Sequence, residues 1–147
     1  MTSTAGLALH TPSQLRALLA GVRTAAVVGA KPLGGPLPAS TVPGSMVRQG
    51  WRVLPVGPVP EPLVGKAAGY AAPWVASLDQ LHEPVDLVVF FRRAEAIDGH
   101  IDEVLRLRPR AAWLQLGIRN EAAAAAWRAA GIDVVQDRCV MIDLALL

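Results

Sequence analysis

The chain has a single cysteine, Cys139, among its 147 residues, so no disulfide forms within it and no multi-thiolate metal site can be built. Its three histidines, His10, His82 and His100, are scattered, and no His/Cys/Asp/Glu cluster shows metal-ligand spacing. A charge excess is also missing. The 14 Lys and Arg nearly balance 12 Asp and Glu, which argues against nucleic-acid binding, because that needs several clustered phosphate contacts. Long hydrophobic runs are absent too: although 52% of the residues are apolar, no stretch approaches the roughly 18 uninterrupted apolar residues of a membrane span. Met1 to His10 shows no basic patch leading into an apolar core, so no secretion signal is expected, and this segment reads as flexible. The lone thiol is compatible with a reducing cytoplasm, the expected compartment.

What is present is a strand, a turn and a helix. Thr24-Ala-Ala-Val-Val-Gly29-Ala30-Lys31 leads through a Pro/Gly-rich loop to a predicted helix from Thr41 to about Gln49. An apolar run ending in glycine ahead of a helix is how doubly wound α/β folds build a phosphate-binding turn: the backbone approaches the ligand, and the helix offers unpaired N–H groups. The usual dinucleotide fingerprint would need glycine where Lys31 stands.

Further elements follow in alternation. Thr11-Pro12 opens a helix ending near Gly21, with Leu15, Leu18, Leu19 and Val22 as its apolar stripe. Strands are predicted at Ala25–Val28, Trp51–Val56, Val85–Phe91, Ala111–Leu116 and Ile132–Val135, with helices at Ala94–Leu107 and Asn120–Ala130. A weaker extended piece falls near Gly69–Ala72, a helical turn at Ser77–Leu81, and a short apolar element from Cys139 to Leu147. The order predicts a single Rossmann-like domain, a doubly wound and mainly parallel sheet with helices on both faces. Ligands of such sheets bind beyond the strand C-termini. The segments to examine are Gly29-Ala30-Lys31, Val56-Gly57-Pro58, Phe90-Phe91-Arg92-Arg93 and Gln115-Leu116-Gly117.

Five segments occur here in the order in which they recur in one family: Ala26-Val27-Val28-Gly29, Gly50 to Val56, Val85 to Arg93, Trp113 to Gly117, and Asp137-Arg138-Cys139. Over roughly Leu15 to Ile142 the chain resembles the small stand-alone coenzyme A-binding proteins related to the CoA-binding domain of succinyl-CoA synthetase. The resemblance implies a Rossmann-like fold and coenzyme A or an acyl-CoA as ligand. It also implies a basic residue near the phosphates from the connector after the second strand, which is Lys66 here. The loop departs from the family pattern. Lys31 replaces a serine or threonine, Pro36 to Ser40 replaces Arg-Pro-Ser, and Gly57 replaces the asparagine of Pro-Val-Asn-Pro.

Each candidate has two readings. Lys31 is a solvated loop lysine or a point charge for a phosphate. Ser40 and Thr41 cap the helix, and a capping hydroxyl can also touch an anion. Arg92 and Arg93 are ion-paired, for instance with Glu95, or face the nucleotide. Gln115 bonds neighbouring backbone or faces the pantetheine amides. Trp51 and Trp113 read as core, and Cys139 as a small buried thiol with no histidine base beside it.

Three functions are carried forward. The first is non-catalytic binding of CoA or acyl-CoA, for sensing, delivery or regulation of a partner. In the synthetases the phosphorylated histidine and partner subunit lie outside this domain. An NAD(P) oxidoreductase would place an acidic or basic residue at the end of the second strand, where Val56-Gly57-Pro58 stands. An interaction module that has lost its nucleotide is the third. The apolar tail and Trp127 would serve a homodimer or another protein partner.

Overall fold

A computed structural model of the chain describes residues 4–147. Five strands, β1 (Thr24–Val28), β2 (Arg52–Val56), β3 (Leu87–Phe90), β4 (Ala111–Leu114) and β5 (Asp133–Val135), form one wholly parallel sheet in the order β2-β1-β3-β4-β5. The order reverses at β1, whose neighbours lie on opposite sides of it, so the switch point falls between the C-terminal ends of β1 and β3.

Side-chain alternation divides the core in two. Val27, Val53, Val89 and Trp113 face one layer, made by α1 (Pro12–Ala20), α2 (Pro38–Arg48) and α5 (Val140–Leu144). Val28, Leu54, Phe90 and Leu114 face the other, covered by α3 (Ile101–Leu107) and α4 (Glu121–Ala129). Burial on both faces explains the nearly continuous apolar strands. Pro55 is tolerated because β2 is the outermost strand and needs no outward N–H.

Both sheet edges are covered. Ala71 and Val75 donate to Val53 and Pro55 along β2. Along β5, Leu9 donates to Val134, Val134 donates to Leu7, and the Leu7 amide donates to Asp133 Oδ1 at 2.8 Å. Residues 4–10, expected to be loose, are therefore bonded to the sheet, and a Cβ on Gly6 would overlap the Ile132 carbonyl. The first three residues of that expectation lie outside the described part.

Two helices differ from expectation. Ala94–His100 forms 3-10 turns before α3 begins, because Gly99 interrupts the helix and Asn120 Nδ2 takes the Ala94 carbonyl at 3.1 Å. The second helix starts at Pro38, with Pro in its first turn and Leu37 at its cap, so Thr41 lies inside the helix and does not cap it. Trp127 is wholly buried and stacks on Phe90 at 5.6 Å between centroids, which removes it from any surface for a partner.

On the α3 side, Glu103 ties the Ser77–Gln80 turn to the helix. It accepts from Ser77 Oγ at 2.6 Å and the Leu78 amide at 2.8 Å, and contacts His100 Nδ1 at 2.9 Å. Burial alone would raise its pKa, but these hydrogen bonds and the nearby imidazole together outweigh burial and hold it below the ordinary 4.5. A carboxyl depressed on folding contributes stability above its unfolded pKa that is lost as pH falls through the folded one. Stability is thus expected to fall as pH drops below about 4.5, and denaturant titrations of Glu103→Gln should show a shallower acid-side decline than wild type.

Candidate functional site

At the switch point, the turn after β1 meets the ends of β2 and β3. Gly29 donates to the Val56 carbonyl at 2.8 Å, and Phe91 donates to the Val28 carbonyl at 2.9 Å. Gly29 has φ +85°, and a Cβ there would lie 2.4 Å from the Phe91 carbonyl oxygen. Only glycine fits this crossing without displacing backbone. An open cleft of about 600 Å³ begins here, lined by Gly29, Ala30, Lys31, Ala39, Val59 and Arg92 together with Pro32, Pro58, Pro60 and Phe91.

The cleft has the donors of an anion site. The Ala30 amide carries no hydrogen bond among the described residues. In the first turn of α2, Pro38 has no N–H, while Ser40 and Thr41 already donate to Leu37 O, so the amide there without a partner among the described residues is that of Ala39. Neither Lys31 nor Arg92 has a carboxylate within ion-pair distance among the described residues. Arg52, Arg106, Arg119 and Arg138, away from the cleft, pair with Glu83, Asp79, Glu121 and Asp143. Among the described residues, Lys31 and Arg92 thus stand unpaired beside the switch point, as do other cations away from it, Lys66 and Arg93 included.

Six of the predicted site residues line this cleft: Gly29, Ala30, Lys31, Pro58, Phe91 and Arg92. Val56 and Gly57 support it from behind, Val56 through its carbonyl to Gly29 and Gly57 through its amide to Val75. The other six lie elsewhere. Ser40 is buried and packs toward Gly35, and with Thr41 it borders a separate hollow on the far side of the loop. Lys66 is exposed on the connector outside the cleft lining, and Arg93 is exposed ahead of the 3-10 turns. Gln115 is buried, and its Oε1 accepts the Val140 amide at 3.0 Å, anchoring α5. That is the structural alternative, satisfied by the backbone N–H at the start of a helix. Gly117 donates to Asp137 Oδ1 at 2.6 Å in the β4–α4 turn, where its φ of +83° requires glycine.

Cys139 is half-buried beside Leu116 and Ile142, in a hollow shared with the Arg138–Asp143 ion pair. No histidine lines that hollow. Cys139→Ser is expected to change noncovalent ligand affinity less than about twofold, and calorimetry of the variant checks this.

Two residues escaped the sequence reading. Tyr70 donates its hydroxyl to the Lys31 carbonyl at 2.7 Å, and Trp74 Nε1 points to the Ala30 carbonyl at 3.4 Å. Both are buried, from a connector that reads only as Pro-rich and weakly extended. An aromatic with a polar tip inside such a connector was the available signal.

A parallel sheet of this order, with an open cleft at its switch point, defines a Rossmann-like domain of the doubly wound class. Residues 23–145 match the family described as CoA binding domain, and the chain belongs to that family. A curated relative, the uncharacterized protein YneT of Bacillus subtilis, is 31% identical over 102 residues, 69% of this chain and 71% of its own. A solved Thermus thermophilus structure is 42% identical, covers 93% of this chain and 98% of its own, and superposes with a TM-score of 0.83. A hypothetical protein from Pyrococcus horikoshii, 21% identical, shares the fold at a TM-score of 0.82 over 100% of this chain and 99% of its own. No helix among the described residues is long and apolar enough to cross a membrane.

Proposed function

We propose that the protein binds coenzyme A or an acyl-CoA in the switch-point cleft and performs no chemistry on it. The observation that carries this reading is the pair of unneutralised cations, Lys31 and Arg92, flanking free amides at Ala30 and Ala39. These groups suit the diphosphate of the ligand. Lys31 occupies the place of the family's hydroxyl as a flexible point charge, while the planar guanidinium of Arg92 pairs with phosphate or stacks on adenine. The end of β2 offers Val56-Gly57-Pro58, with no side chain to read ribose hydroxyls or a 2′-phosphate, which favours CoA over NAD(P).

The non-catalytic part rests on the side chains around the cleft. Its lining contains no cysteine, histidine, serine or carboxylate. The Ser77–Glu103–His100 contact has the carboxylate in the middle, the wrong order for a base to activate the hydroxyl. Acetyl-CoA incubated with the protein should be recovered intact, one molecule per chain by native mass spectrometry. Release of free CoA thiol above the buffer rate would contradict the absence of chemistry.

A further inference from the structure

The turn that presents Lys31 is held from within the protein. The peptide between Ala30 and Lys31 is bracketed at both ends: its N–H donates to the Ala39 carbonyl at 3.0 Å, and its carbonyl faces Trp74 Nε1. The next carbonyl, that of Lys31, precedes Pro32, and Tyr70 satisfies it. Tyr70 and Trp74 pack edge to face at 5.1 Å between centroids, which fixes both polar tips together. Burial pushes the Tyr70 hydroxyl well above its ordinary range, so it remains a proton donor at all physiological pH. The same connector supplies Pro58, Val59 and Pro60 to the cleft lining.

We propose that Tyr70, supported by Trp74, is a positioning residue for the ligand. It ties the Lys31 carbonyl into the protein and so aims the Lys31 ammonium and the Ala30 amide at the cleft. This rests on the reading that the cleft takes the diphosphate of CoA. The connector thus lines the cleft directly and also holds the turn that brings Lys31 to it.

The test is a double-mutant cycle read by calorimetry with CoA. Tyr70→Phe keeps the ring and removes only the hydroxyl. It should weaken binding about tenfold, and the loss should shrink to less than about twofold in a Lys31→Ala background, because there is no ammonium left to aim. An unchanged affinity, or an equal loss in both backgrounds, would overturn the positioning role and leave the CoA reading standing. Amide hydrogen exchange on the ligand-free protein supplies a readout that does not depend on CoA. Exchange at the Lys31 amide should accelerate at least about tenfold in Tyr70→Phe while the β1 amides keep their protection. Unchanged exchange at Lys31 would overturn the pinning itself. Wild type that binds no CoA, with Lys31 exchange still accelerated in the variant, would discard the ligand and keep the tether. If Tyr70→Phe fails to fold, Trp74→Phe provides the same pair of readouts with a smaller loss, since its contact is longer.

Discussion

CoA affinity is expected to fall at least about tenfold in Lys31→Ala and in Arg92→Ala, and at least about a hundredfold when both are replaced. The estimate follows from one charge-assisted phosphate contact per side chain, roughly 1.5–3 kcal/mol each, against 1.4 kcal/mol per decade. Neither residue has an ion-pair partner among the described residues to lose, so the fold should keep its stability within about 0.5 kcal/mol. The affinity of wild type should also weaken with added salt, and the double variant should have lost most of that dependence. Calorimetry at two salt concentrations measures both effects. Unchanged affinity in both single variants would remove these roles.

Gly29→Ala is expected to damage stability and binding together. An alanine at φ +85° costs about 1–2 kcal/mol in backbone strain. The 2.4 Å approach of its Cβ to the Phe91 carbonyl adds about 1–3 kcal/mol of overlap unless β1 and β3 separate. Separation would displace the Val56 and Val28 hydrogen bonds that close the crossing, and with them the Ala30 amide. Denaturant unfolding should show a loss of about 2–5 kcal/mol, and any folded fraction should bind CoA at least about tenfold more weakly. Wild-type stability with wild-type affinity would mean that the turn tolerates a side chain and is not a close-approach site.

The parallel sheet was legible because burial on both faces leaves an unmistakable mark, the apolar runs at Ala25–Val28 and Val85–Phe91. The cleft was legible for a related reason: strand C-termini at a switch point are set by connectivity alone, which brought Gly29, Lys31, Phe91 and Arg92 together. Positions that depend on tertiary partners were not legible. Ser40 and Thr41 resemble caps locally, but Pro38 fits the first helical position better and moves the helix start toward the N-terminus. Gln115 stands at a strand end like the ligand residues, yet its partner Val140 is distant in sequence and became visible only with α5 in place. The N-terminal segment has no local pattern, and its order comes from the open edge of β5. Tyr70 and Trp74 are polar-tipped aromatics in the connector, but the carbonyls they hold, those of Lys31 and Ala30, are distant in sequence and became visible only in the fold.

The central claim is tested most directly by calorimetric titration of ligand-free wild type with CoA, acetyl-CoA, NAD, NADP and ATP. The expected result is stoichiometric binding of CoA or acetyl-CoA at about micromolar Kd, tighter than for the other three. Preference for NAD or NADP, or no heat with any of the five, would contradict it.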